Sequence, residues 1–205
     1  MPLLFSEKMK TDYRSIAVEW KSVISEKEEK ILIDLHLQSF LDMFQGHTEA
    51  QLGLPTTVTK KYFLLHLIEK HLERVRKGEA FLATAAIEEQ MVGFILCDDT
   101  APHFSRRLEG LGCECNSLYI HILAAKQWGS LKSTVEKMRV GIGQVLLEAL
   151  PKRFPAVRQL TLSVRTMNTR AQAFYATQGF VPYAQSNEHY MEYKKTISLG
   201  SQKRP

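Results

Sequence analysis

Residues 139–150 read RVGIGQVLLEAL, and residues 168–180 read NTRAQAFYATQGF. In the first stretch, Gly141 and Gly143 flank an isoleucine where an apolar helical pattern begins. Ile142, Val145, Leu146, Ala149 and Leu150 share one face of that helix, and Pro151 and Pro155 are expected to end it. A glycine-rich helix start is a ready anion cradle, because its free N–H groups and the helix dipole favour negative charge. A dinucleotide fingerprint is excluded, since the third glycine and the later acidic residue are missing. A Walker loop is excluded by the absence of Gly-Lys-Ser/Thr. The competing structural reading is a loop whose glycines merely permit positive φ.

The chain has 205 residues, enough for one domain with a sizeable core. Hydrophobic residues are 44% and charged residues 24%, ordinary for a water-soluble globular protein. No apolar run approaches the ~20 residues of a membrane span, so no membrane partner is expected. A net charge of +5 is spread along the chain and interrupted by acids, which disfavours nucleic acid as a partner. The N-terminus lacks a secretory pattern, and the three cysteines are an odd count. A reduced, cytoplasmic location follows as the expectation. Cys113-Glu-Cys115 with His103 and His121 lacks a second ligand pair, so no metal is expected. Cys97 reads as a strand core residue.

Strands are expected over Tyr13–Val23, Ala80–Ile87, Met91–Asp98, Ser117–Ala125 and Val157–Arg165, with two more forming a hairpin over Phe180–Ile197. Glu88, Glu89 and Gln90 form the turn of the first hairpin. Helices are expected over Lys27–Phe44 (Ile31, Leu35, Phe40 and Phe44 inward), Lys60–Lys77, Ile142–Leu150 and Arg170–Thr177. Phe63, Leu64, Leu67, Ile68 and Leu72 form the inner face of the second. Gly78 and Gly179 read as helix stops. The order β-α-α-β-β-β-α-β-α-β-β predicts one α/β domain, a mixed central sheet of about seven strands with helices on both faces. That domain spans residues 13–197, between an N-terminal extension (1–12) and a polar tail (198–205).

The two opening stretches together resemble the GCN5-related N-acetyltransferase (GNAT) family. Its acetyl-CoA loop is Arg/Gln-x-x-Gly-x-Gly/Ala, and its second signature, Asn-x-x-Ala-x-x-Phe-Tyr-x-x-x-Gly-Phe, is matched at every position by Asn168, Ala171, Phe174, Tyr175, Gly179 and Phe180. LYIHILAA (118–125) resembles the family's central strand, and HYMEYKK (189–195) its last. The loop departs at Met138, where the family has Arg or Gln. Residues Gly129–Lys137 look like an insertion before it.

The resemblance implies an acetyl-CoA-dependent N-acetyltransferase moving an acetyl group to a primary amine by direct attack in a ternary complex. The acceptor would be a small-molecule amine or an amine of a peptide or protein, and the chain a monomer or homodimer. Acetyl-CoA would be held by Met138, Arg139, Val140, Gly141, Ile142, Gly143 and Gln144, by the backbone of Leu123 and Ala125, and by Asn168. Tyr175 would stand beside the cofactor sulfur as acid. Asn168 also reads as a helix cap, and Phe174 as core.

Alternation along the central strand places Ser117, Tyr119, His121 and Leu123 on one face and Leu118, Ile120 and Ile122 on the other. His121 is the candidate general base, since imidazole titrates near neutrality; Tyr119, or a water it holds, is the alternative. No acid lies on this strand. The rival reading is a non-catalytic acyl-CoA-binding or partner-binding module of the same fold. Acceptor choice would lie with the loops Gly46–Thr57 and Asp99–Asn116 and the last hairpin near Ser186–Tyr190.

Overall fold

The computed structural model describes residues 16–41, 48–49, 54–55, 57–99, 116–126 and 141–198. Its elements run β1 (Ala17–Lys21), α1 (Glu26–Leu41), α2 (Lys60–Arg76), β2 (Phe81–Ile87), β3 (Gln90–Asp98), β4 (Ser117–Ala125), α3 (Ile142–Arg153), β5 (Gln159–Arg165), α4 (Thr169–Thr177), β6 (Val181–Asn187) and β7 (Tyr190–Thr196). This is the expected order. The strands form one seven-stranded sheet, β1-β2-β3-β4-β5-β7-β6. Every pairing is antiparallel except β4 with β5, which are joined through α3 as a parallel crossover unit requires.

Each face of the sheet has its own core. On one, Ala83, Ala85, Ile95, Cys97, Leu118, Ile120, Leu160, Leu162 and Val164 pack with Ile142, Leu146 and Leu150 of α3 and Tyr175 of α4. On the other, Leu82, Phe94, Leu96, Ile122 and Ala124 pack with Leu32 and Leu35 of α1 and Ile68, Leu72 and Val75 of α2. Cys97 is core, as expected, and burial pushes its thiol up to about 12.

Local chemistry accounts for most element boundaries. The Thr59 hydroxyl accepts from the Tyr62 amide and starts α2. The Asn168 side chain does the same for α4, accepting from the Ala171 amide at 3.0 Å. Gly78 and Gly179 lie at φ 73° and 81°, the left-handed geometry that stops a helix. The first hairpin turns on Glu88 and Glu89 alone, both at positive φ, so Gln90 belongs to β3 and not to the turn.

Three details differ from the sequence reading. Pro151 does not end α3, which continues to Arg153. The Phe154 amide still bonds the Leu150 carbonyl at 2.9 Å, so the missing proline N–H costs one bond near the helix end and the turn survives. The inner face of α1 is built on Leu32, Leu35 and His36, with Ile31 and Phe40 packed at its edge. His36 lies against the Phe40 ring at 4.6 Å, and burial draws its pKa down to about 4, so it serves as a neutral core ring. On α2, His71 and Val75 join the buried face, while Phe63 and Leu67 are only partly buried. Tyr13 to Ser15, Asp42 to Phe44, the extension 1–12 and residues 199–205 lie outside the described residues.

Candidate active site

The site begins where β4 and β5 part. Their parallel ladder runs from Ser117–Gln159 to Ile120–Leu162 and stops there. β4 continues to Ala125 along β3, and β5 to Arg165 along β7. The Lys126 amide donates to Val92 on β3 at 2.8 Å. By alternation, the amides of Leu123 and Ala125 point the other way, into the opening. The Ser39 hydroxyl of α1 approaches the same place and donates to the Ala125 carbonyl at 3.3 Å.

The N-terminus of α3 has no side-chain cap, and its N-cap is Gly141 at φ −76° and ψ 149°. An added Cβ at Gly141 would meet nothing within 4 Å, whereas one at Gly143 would come to 2.9 Å from Phe174. Neither glycine adopts positive φ, which removes the reading that they merely permit it. Gly143 is required by the approach of α4. Among the described residues nothing crowds Gly141 or caps the helix there, and a helix N-terminus of this kind could hold a phosphate. Ile142 buries its side chain in the core and leaves its amide at this helix start. Gln144 turns outward and donates to Glu148 at 2.9 Å. Tyr175 is buried between Phe174 and Phe180, with ring centroids at 5.2 and 5.4 Å. Burial raises its phenol pKa, which keeps the proton on and suits a donor.

Across the sheet, β4 carries a bulge. Leu96 pairs with Ile122 and Cys97 with Ile120, so His121 is the extra residue. The bulge overturns part of the expected alternation. Leu118 and Ile120 face α3, but Ile122 has crossed to the α1/α2 side. Leu123 has crossed the opposite way, and its Cδ2 would be 3.6 Å from a Cβ at Gly143. His121 and Tyr119 do share a neighbourhood, with ring centroids 4.9 Å apart.

His121 Nε2 is 2.6 Å from Asp98 Oδ2, at the end of β3. Arg74 of α2 donates to the same carboxylate oxygen at 2.5 Å. Arg74 Nη1 also lies 3.3 Å from His121 Nε2. Both are donors if Nε2 carries the proton, so the shorter, charge-assisted bond to Asp98 fixes the tautomer, and Nδ1 keeps the lone pair. Asp98 is 0% exposed. Burial is the largest single influence on it and opposes ionisation, but the bonds and charges of His121 and Arg74 together outweigh burial and hold the carboxyl below 3.8. His71 stacks on His121 at 4.4 Å. Burial, helped by the charges of His121 and Arg74, brings His71 down to about 3, so it is a neutral wall.

Tyr119 is buried, and its phenol pKa is raised by burial and then by the charge of Glu192, which argues against Tyr119 as a base. Asn168 stands as the α4 cap. Gly143 and Leu123 thus meet on the α3 side, where Tyr175 lies in the core and Asn168 caps α4, while Tyr119 and His121 lie on the α2 side. Met138, Arg139, Val140, the Gly129–Lys137 segment, His103, Cys113 and Cys115 lie outside the described residues. Sequence reasoning missed Asp98 and Arg74. An acid closing an otherwise apolar buried strand was the one available signal.

No family model matches the sequence, and no curated protein matches it at a meaningful level. Solved structures do. The chain superposes on PH1933 from Pyrococcus horikoshii OT3 with a TM-score of 0.58 at 21% identity, covering 89% of this chain and 100% of that one. An acetyltransferase of the GNAT family from Listeria monocytogenes gives 0.57 at 14% identity, over 89% and 95%. The PaiA N-acetyltransferase from Thermoplasma acidophilum, solved in complex with coenzyme A, gives 0.55 at 17% identity, over 88% and 99%. The chain has the GNAT acetyltransferase fold.

The Asp98 pair also bears on stability. A carboxyl held below its unfolded value of 3.8 contributes stability that is complete above that value and is lost as pH falls through the lower folded one. Asp98→Asn is expected to cost about 3 kcal/mol at neutral pH, because Arg74 loses its buried counter-charge and His121 its charge-assisted hydrogen bond. Denaturant titrations from neutral pH downward should show the gap between wild type and variant constant until the acid range, then shrinking. A gap independent of pH would mean that Asp98 is not ionised in the folded protein.

Proposed function

We propose that the protein is an acetyl-CoA-dependent N-acetyltransferase that acetylates a primary amine by direct attack in a ternary complex. The observation that carries this reading is the Asp98–His121 pair at the β4–β5 opening, with Nε2 tied to the carboxylate at 2.6 Å and Nδ1 left as a proton acceptor. When bound, acetyl-CoA supplies an acetyl group already activated as a thioester. The N-terminal amides of α3 at Ile142, Gly143 and Gln144 would hold its diphosphate, together with Met138, Arg139 and Val140, which precede them in the sequence. The Leu123 and Ala125 amides take the pantetheine arm and acetyl oxygen, and Asn168 borders the arm.

Near neutral pH an alkylamine is mostly ammonium, with a pKa of ~10, and has no free lone pair. His121 Nδ1 removes one proton, and Asp98, backed by Arg74, stabilises the imidazolium that results. With acetyl-CoA bound, Tyr175 would be the residue to protonate the thiolate released when the C–S bond gives way to the new C–N bond, and the second proton shed by the acylated nitrogen would return to Tyr175. Coenzyme A structures of the Thermoplasma acidophilum and Bacillus subtilis acetyltransferases support the cofactor assignment by likeness of fold. The absence of a membrane-length apolar helix among the described residues accords with a cytoplasmic setting.

Three substitutions test the proposal. His121→Gln should lower kcat for CoA-thiol release by about 10²-fold or more, leaving acetyl-CoA affinity unchanged. A variant as active as wild type would remove His121 from the mechanism. Tyr175→Phe should lower turnover far more than cofactor affinity; equal losses would give Tyr175 a binding role only. Gly141→Asp tests the cradle without stressing the fold, since the side chain has room and aspartate caps helices well. Stability should change by no more than about 0.5 kcal/mol, while calorimetric CoA affinity falls at least about tenfold. Unchanged affinity would put the phosphates elsewhere.

A further inference from the structure

The sheet face that carries His121 continues onto β5 and β7, where it holds a second buried carboxylate. Leu160, Leu162 and Val164 point into the α3 core, so Ser163 and Arg165 point to the α1/α2 side. Ser163 stands opposite Glu192, and Arg165 opposite Tyr190. Glu192 is 6% exposed. Its partners are two neutral hydroxyls, those of Ser186 and Ser163. Among the described residues it makes no ion pair. The cations on the same strands are engaged elsewhere: Arg165 lies over the Tyr190 ring at 4.8 Å, and Lys194 over the Tyr183 ring at 5.2 Å.

This differs from Asp98, whose charge is met inside the protein by Arg74 and His121. A buried carboxylate without a cation is costly, and burial raises the Glu192 pKa accordingly. Glu192 is also wired to the base. Ser163 hydrogen-bonds the Tyr119 hydroxyl, and the Tyr119 ring stands edge-on to His121. The two acidic centres are thus one serine and one tyrosine side chain apart along a single face.

We infer that Glu192 receives a cationic group of the acceptor, distinct from the nitrogen that is acetylated. The attacking nitrogen must surrender a proton at His121 and is neutral when it reacts. A group held by Glu192 must stay protonated, because its charge is what the carboxylate binds. The acceptor is therefore an amine carrying a second basic centre, such as an α,ω-diamine. This inference rests on the acetyltransferase reading for the identity of the acceptor, but not for the existence of the cation site.

The test uses the full chain saturated with CoA. Binding of α,ω-diaminoalkanes from propane to octane is measured by calorimetry beside monoamines of the same chain lengths. At least one diamine should bind about tenfold more tightly than its monoamine. Glu192→Gln should abolish that preference while leaving CoA and monoamine affinities within about twofold. Equal binding of the two series by wild type, no diamine binding at all, or a preference that survives in Glu192→Gln would each overturn the inference. Should the variant not fold, the wild-type comparison decides alone. CoA-thiol release from acetyl-CoA with the same amines separates the two readings. Diamine binding without release would overturn the transferase reading and leave the cation site standing; release without diamine preference would do the reverse.

Discussion

Backbone N–H and C=O groups in a sheet need partners, and among the interior strands of this one the ladder is cut short between the ends of β4 and β5. Their pairing stops at Ile120 and Leu162, yet both strands run on, each held by its outer neighbour. The Leu123 and Ala125 amides are thereby aimed into an opening instead of a ladder. The bulge at His121 falls at the same point. It adds one residue to β4, brings Ile122 under α1 and α2, and sends Leu123 to the α3 side next to Gly143. One local irregularity thus lines the opening on one face with an imidazole and on the other with backbone amides.

The polar groups on the α2 side are buried on different terms. Asp98 is compensated by Arg74 and His121 and so stays ionised. That pairing costs the protein nothing further when a ligand arrives, and it orients the imidazole through Nε2. Among the described residues Glu192 is met only by hydroxyls. Between them Tyr119 is kept protonated by burial and by the charge of Glu192, so it separates the two centres without competing for the proton. A satisfied carboxylate suits a group that must hold another residue in place. A carboxylate lacking a cation suits a group whose partner comes from outside.

Much of the fold was legible because it is written in local patterns. The β-α-α-β-β-β-α-β-α-β-β order follows from apolar periodicity, and Asn168, Gly78 and Gly179 mark helix ends through side-chain or backbone chemistry confined to a few residues. The crossing of Ile122 and Leu123 was not legible, because a bulge is set by how a strand meets its neighbour. Asp98 and Arg74 are 23 and 47 residues from His121, and only the β3–β4 register and the packing of α2 bring them to it. Glu192 escaped for the same reason: opposite Ser163 it is a site feature, but in EYKK it reads as one charge among several. Pro151 shows the converse error, a strong local rule relaxed because the helix was already within one turn of its end.

The two glycines of the α3 start separate what the fold requires from what it does not. Gly143 has a reason inside the protein, since Phe174 occupies the space a side chain would take. Gly141 has none among the described residues: its φ is ordinary, no described atom crowds it, and Ser, Asp or Asn at that N-cap would secure the helix better. In the enzyme proposed above, the positive end of the α3 dipole at Gly141 would be met by an anion of the bound cofactor. The charge that position favours is negative, and the next turn of the helix is tied to β4 through the approach of Gly143 to Leu123. On the proposed reading the interaction that completes α3 would be with an anion that also reaches between the strands, and the helix start and the imidazole on the far face would then be parts of one site.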